Sequence, residues 1–194
     1  INFSITNKFS GVRHLLAVYL FLFVLASNVV NLKANKKRTY NIMMSLLLFY
    51  YAISTILIAP YYLSYINELG GGPNNGYKIT VGSNIDLGQD LHGLKKYMED
   101  KSIKKIKLSY FGRADPKDYN ISYEYLPSPY WLPWVPDYSI STLDKREEDC
   151  SEKKGIIAIS VTNLKNAQLV NTTCFDWLRK YEPVDKIGYT IFIY

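Results

Sequence analysis

The chain has 194 residues, 48% of them hydrophobic, which is enough for one modest domain and something more. Its formal net charge of +6 is unevenly placed: Lys8, Arg13, Lys33, Lys36, Lys37 and Arg38 stand before Glu68 with no acidic residue among them, and the remaining 17 basic residues meet all 17 acidic ones after it. The excess charge belongs to the apolar end of the chain, which argues against a nucleic-acid-binding domain and against nucleic acid as a partner.

Leu15 to Val30 and Ile42 to Leu63 carry no charged side chain. A hydrocarbon core of about 30 Å needs roughly 20 apolar residues as helix. The expectation is therefore two transmembrane helices, at about 15–31 and 42–63, within a membrane segment 1–67. The alternative for the shorter first run is a buried core helix. Lys33, Lys36, Lys37 and Arg38 fall in the connection 32–41, and short loops rich in Lys and Arg stay in the cytoplasm. The N-terminal segment and everything after Leu63 are then expected outside. Arg13 and His14, just before the first run, are candidates for an anionic lipid phosphate or for plain interfacial anchoring. Tyr61, Tyr62 and Tyr65 suit an interfacial belt or internal packing.

The stretch NELGGGPNNGY cannot continue a helix and reads as a tight connection into an extracytoplasmic domain, 68–194. Its triple glycine lacks the Lys-Ser/Thr of a phosphate-binding loop. Tyr77 to Ser83 reads as a strand. Leu87 to Lys101 has Leu91, Leu94, Tyr97 and Met98 at helical spacing, and Lys104 to Phe111 alternates as a half-buried strand, completing a βαβ unit. A strand at Ile156 to Val161, a short helix at Cys174 to Tyr181 and a closing strand at Ile187 to Tyr194 follow. The expected fold class is a membrane α-helical hairpin followed by a small α/β domain with a mainly parallel sheet.

At the strand-to-helix junction, SNIDLGQDL gathers Ser83, Asn84, Asp86, Gln89 and Asp90. Asp86 is a candidate helix cap; the functional alternative has Asn84, Asp86, Gln89 and Asp90 holding sugar hydroxyls or a cation. The run LPSPYWLPWVPDY places Tyr130, Trp131 and Trp134 among prolines, either as a mobile aromatic loop against bilayer or sugar or as a loop packed on its own domain. His14 and His92 are the only histidines, which gives no support to a multi-histidine metal centre or a Ser-His-Asp triad. Cys150 and Cys174 are candidates for a disulfide in an oxidising compartment. Asn2, Asn120 and Asn171 each begin a glycosylation acceptor pattern.

The succession GVRHLL, YLSYINELGGGPNNGY, SNIDLGQDLHGLKKY and LSYFGRADPKDY resembles the C-terminal portion of prokaryotic multi-spanning glycosyltransferases related to the dolichyl-phosphate-mannose protein mannosyltransferases and the lipid A aminoarabinose transferases. The most specific part is Ser83 to Asp90 with Tyr110-Phe111-Gly112 downstream; the family pattern Asp-Ser-Asn-x-Asp-Trp-Gly-Gln-Asp is departed from at Gly82 and Leu87. The resemblance implies a multi-pass cell-membrane enzyme that moves a sugar from a polyprenyl-phosphate donor to a glycan, lipid or protein acceptor outside the cytoplasm. It also implies a catalytic carboxylate in a first external loop. No acidic residue precedes Glu68, and the chain does not begin with Met. The catalytic loop is therefore expected upstream in a longer parent, with no catalytic residue and no cofactor in this chain and a divalent cation left open for the full-length enzyme. The alternative from another class is a non-catalytic membrane-anchored module that binds a glycan or a protein.

Overall fold

The computed structural model describes residues 16–28, 37–129, 149–165, 169 and 171–194. It divides the chain into two compact units, Ile1–Tyr62 and Leu63–Tyr194.

In the first unit, helix α2 (Lys37–Ile58) has 22 residues and a mean hydropathy of 1.8 over its best window. At 1.5 Å per residue it measures about 33 Å, the thickness of a bilayer core. It begins earlier than the expected 42: Lys37 and Arg38 join its first turn instead of the loop, since both are good helix formers. It ends at Ile58 rather than near Leu63, because Pro60 disfavours helical backbone at the residue before it. Helix α1 (Leu16–Ser27) has only 12 residues, about 18 Å. Its last turn closes on itself, with the Ser27 hydroxyl donating to the Val24 carbonyl at 2.7 Å. Of the two spans expected, one is thus a helix long and apolar enough to cross a membrane among the described residues. Leu20, Phe21, Leu46, Leu48 and Phe49 are exposed in a way water does not favour.

The second unit opens with short turns at Glu68–Gly70 and Pro73–Asn75, where Gly71 (φ 87°) and Gly72 (φ 72°) adopt backbone that side chains resist. The strand expected at Tyr77 to Ser83 is absent. A single helical turn, α3 (Gly76–Ile79), and a 3-10 turn (Gly82–Asn84) stand there, because Gly82 at φ 64° bends the chain out of extended form. Tyr77 instead packs edge-on against Phe192, ring centroids 4.9 Å apart.

Helix α4 (Leu91–Asp100) follows, burying Leu91, Leu94 and Met98, then strand β1 (Ile106–Ser109) and the short β2 (Tyr123–Tyr125). Strand β3 (Ile157–Ser160) runs directly into a helical turn, α5 (Val161–Leu164). The expected helix over Cys174 to Tyr181 is a series of turns ending in the 3-10 turn Leu178–Lys180, too short a segment to repay helix nucleation. The single closing strand expected over Ile187 to Tyr194 is a hairpin, β4 (Asp185–Ile187) and β5 (Ile191–Ile193), turned at Gly188 with φ 55°.

The strand order is β2-β1-β3-β5-β4. Strand β1 pairs in parallel with β2 and β3, whereas β3–β5 and β4–β5 are antiparallel. The sheet is therefore mixed rather than mainly parallel, because the terminal hairpin adds both of its strands to one side. Alternate residues feed two cores. Ile106, Leu108, Ala158, Ile191 and Ile193 meet α4 on one face; Ile157, Ile159 and Phe192 meet Leu164, Phe175 and Leu178 on the other. Each fully buried Ile, Leu or Phe contributes roughly 1.5–3 kcal/mol.

Candidate functional site

In an open α/β sheet, ligands bind beyond the carboxyl ends of parallel strands where the connections diverge to opposite sides. Here that point lies between β1 and β3, because the chain leaves β1 for β2 on one side and returns to β3 on the other. The residues at these strand ends are polar and buried: Ser109, Ser160, Thr162 and Asn163 are all 0% exposed. The Ser160 hydroxyl accepts the Phe111 N–H at 2.9 Å, Ser128 accepts the Tyr110 N–H at 3.2 Å, and Asn163 donates its amide to the Ser109 hydroxyl at 2.9 Å. The Asn163 side-chain oxygen has no hydrogen-bond partner among the described residues.

The loop Gly82–Asp90 closes over these strand ends. Asp86 is 0% exposed; its Oδ1 accepts the Gly88 N–H at 3.1 Å and its Oδ2 accepts the Thr162 hydroxyl at 2.8 Å. Thr162 in turn accepts the Gly82 N–H at 3.0 Å. Tyr110 donates its phenol to the Gly88 carbonyl at 2.9 Å. A Cβ on Gly112 would stand 2.3 Å from the Tyr110 ring and 2.9 Å from the Gly88 backbone, so Gly112 is what lets the loop approach this closely. Asp90, 3% exposed, accepts the Tyr189 N–H, the Thr190 N–H and the Thr190 hydroxyl on one oxygen at 3.2, 3.1 and 2.7 Å. It therefore pins the β4–β5 turn.

Burial pushes the Asp86 carboxyl up to about 7; the Asp90 charge adds to the rise, and the donors Thr162 and Gly88 oppose it. Asp90 is raised for the same reason, with Thr190 and Tyr189 opposing. The Tyr110 phenol is raised by burial and by the Asp86 and Asp90 charges nearby. Asp86 thus holds or sheds a proton near neutrality, but its burial closes it to any substrate.

Of the residues singled out in the sequence, Asn84, Asp86, Gln89 and Asp90 lie in one loop with separate tasks. Asn84 donates to the Thr80 hydroxyl at 2.7 Å. Gln89 donates to Ser64 and to the Ile85 carbonyl while accepting the Leu87 N–H, stapling its own loop. Asp86 does not cap α4, which begins at Leu91. Both oxygens of Asp86 and one oxygen of Asp90 are engaged by donors within the unit, and no group of three or more potential metal-binding side chains occurs among the described residues. Arg13, His14, Tyr130, Trp131 and Trp134 lie outside the described residues, as does Asn2. Asn120 and Asn171 are exposed. Cys150 and Cys174 form a disulfide.

The sequence reading passed over Ser109, Ser128, Ser160, Thr162 and Asn163. A signal was present: hydroxyl and amide residues immediately following apolar strand residues, as in IAISVTN, mark strand ends that must satisfy backbone groups. Comparison with protein families, with curated proteins and with solved structures finds no match to this chain.

Proposed function

We propose that the chain is the C-terminal portion of a multi-spanning membrane glycosyltransferase, which transfers a sugar from a polyprenyl-phosphate donor to a glycan, lipid or protein acceptor on the extracytoplasmic side. One observation carries this reading: a membrane-length helix that begins with Lys37 and Arg38 is followed by a disulfide-bonded α/β unit. Basic residues hold their end of a span in the cytoplasm, and disulfides persist outside it, so both features favour the same orientation. In this reading the run 15–31 supplies a second crossing, and Arg13 and His14 face the lipid phosphate. The outer unit supports a catalytic carboxylate from an upstream loop and performs no turnover by itself.

A second reading, a membrane-anchored glycan- or protein-binding module, gains from the internal use of Asp86 and Asp90, which removes the loop's carboxylates from contact with substrate. The test is to recover the longer coding sequence and assay membranes containing its product for transfer of labelled sugar from polyprenyl phosphate. Transfer that disappears when an upstream Asp or Glu is replaced supports the enzyme. A product with no upstream spans and no transfer supports the module.

A further inference from the structure

Three ammonium groups converge on one ring in the second unit. The Nζ atoms of Lys78, Lys165 and Lys186 stand 5.9, 5.6 and 5.6 Å from the centroid of Tyr77, and Lys186 stands 4.8 Å from that of Phe192. They come from three separate places in the chain: Lys78 from α3, Lys165 from the residue after α5, and Lys186 from β4. Tyr77 packs on Phe192, which is the partner of Lys186 across the β4–β5 pair, and so the fold itself gathers the three charges. A ring attracts a cation out to about 6 Å, which places two of the three pairs with Tyr77 close to that limit, while each ammonium repels the other two.

All three lysines are exposed, and no carboxylate stands within ion-pair distance of any of them among the described residues. Successive strand residues face opposite ways, so Asp185 shares with Ile187 the face toward α4, whereas Lys186 takes the other. Glu182 does reach the lysine face: burial pushes the Tyr194 phenol up to about 12, and the Tyr77 and Glu182 charges add to the rise. Three cations against that carboxylate leave the patch positive. Exposed apolar side chains border it. Ile79 follows Lys78 and is 62% exposed; Val184, two residues before Lys186 and on the same side of the chain, is 76% exposed.

The kind of partner follows from this mixture. A fixed phosphate or carboxylate favours the planar fork of Arg, and the patch holds only Lys, a compact charge on a flexible stem that can follow mobile headgroups. Lysines interspersed with exposed aliphatic side chains suit an anionic lipid surface, where ammoniums meet phosphates and methyl groups enter the headgroup layer. The same chain carries α2, a helix long and apolar enough to cross a bilayer. Such a tether raises the effective concentration of the patch at that surface, so a weak attraction suffices.

We infer that the face of the second unit bearing Lys78, Lys165 and Lys186 docks on the surface of an anionic phospholipid bilayer, with Val184 and Ile79 entering the headgroup layer. This contact is additional to any span and needs neither sugar transfer nor glycan binding, so each can fail alone.

The full chain is placed in nanodiscs whose phosphatidylcholine is brominated on its acyl chains, with or without roughly one-third phosphatidylglycerol. Val184→Trp puts a reporter indole beside Lys186, in a chain whose Trp131 and Trp134 are replaced by Phe; the same chain with Val184 intact gives the background from Trp177. Bromine is expected to quench the added indole in the anionic discs and far less in the neutral ones. Raising NaCl from about 0.05 to about 0.5 M should release it. Each lysine near an anionic surface is worth about fivefold, so Lys78→Gln, Lys165→Gln and Lys186→Gln together should lower the ratio of docked to free unit at least tenfold. All the substituted lysines are exposed, and an unchanged cooperative melt confirms the fold. Coelution of the chain with neutral discs reports α2 separately, so loss of docking and loss of the span are told apart. No quenching above background in anionic discs overturns the inference, as does equal quenching in neutral discs or in the triple variant. Lysine-dependent binding of soluble polyglutamate without quenching in anionic discs would assign the patch to an acidic protein instead.

Discussion

Asp86 couples the outer unit to pH in a direction that can be worked out. Its carboxyl ionises near 3.8 when unperturbed and near 7 in the fold, so between those values the folded chain holds a proton that the unfolded chain has lost. Its contribution to stability is complete below about pH 4 and disappears as the pH climbs through 7, a change on the order of 4 kcal/mol at most. Asp86→Asn keeps the shape and cannot ionise, so thermal unfolding of this variant should lose most of the decline from pH 4 to 7, leaving the smaller slope due to Asp90. An unchanged slope would place the proton elsewhere. Asp90→Ala should be the more damaging change at every pH, by roughly 3 kcal/mol, because it strands buried donors of Tyr189 and Thr190; guanidinium titration measures it. The sequence displayed these carboxylates as a polar cluster, but not their burial. Their partners Thr162 and Thr190 lie 76 and 100 residues away, beyond the reach of local pattern.

At the scale of elements, periodic segments were legible and turns that rest on one glycine were not. The α4 helix and strands β1 and β3 follow from apolar spacing that local and tertiary forces both favour. Tyr77 to Ser83 and Ile187 to Tyr194 are as apolar as those strands, yet Gly82 and Gly188 at positive φ break the first and fold the second into a hairpin. Gly188→Ala should show how much rests on that turn. The new methyl meets Asp90 at 2.3 Å on a backbone with φ 55°, and the cost should be at least 2 kcal/mol, roughly that of overpacking added to backbone strain, read as a lowered melting temperature. The α2 helix makes an independent prediction. Leu48 stands near its middle and is 65% exposed, so Leu48→Arg should cost about 3 kcal/mol of insertion free energy. Insertion of α2 as a test segment between two glycosylation acceptor sites, which reads this one span by itself, should fall in the variant; failure of the unaltered segment to insert would deny that α2 spans.

For the whole molecule, the Cys150–Cys174 disulfide distinguishes a unit held by its core from one that also depends on its compartment. The bridge closes a separation of 24 residues and leads into the buried pair Cys174 and Phe175, packed against β3 and β5. On the chain-entropy estimate, removing it costs about 3 kcal/mol, which for a unit of this size lowers the melting temperature by roughly 10 °C. Replacing both cysteines with serine, or adding reductant, should produce the same fall in the cooperative transition of the sheet unit. The helical circular dichroism of α2, which belongs to the other compact unit, should persist if that helix is held by a bilayer or micelle. If the unit melts unchanged without the bridge, its two cores suffice and the disulfide says nothing about where the domain resides. If it melts early, the folding of the unit depends on an oxidising environment, because the bridge and not the two cores alone then holds it.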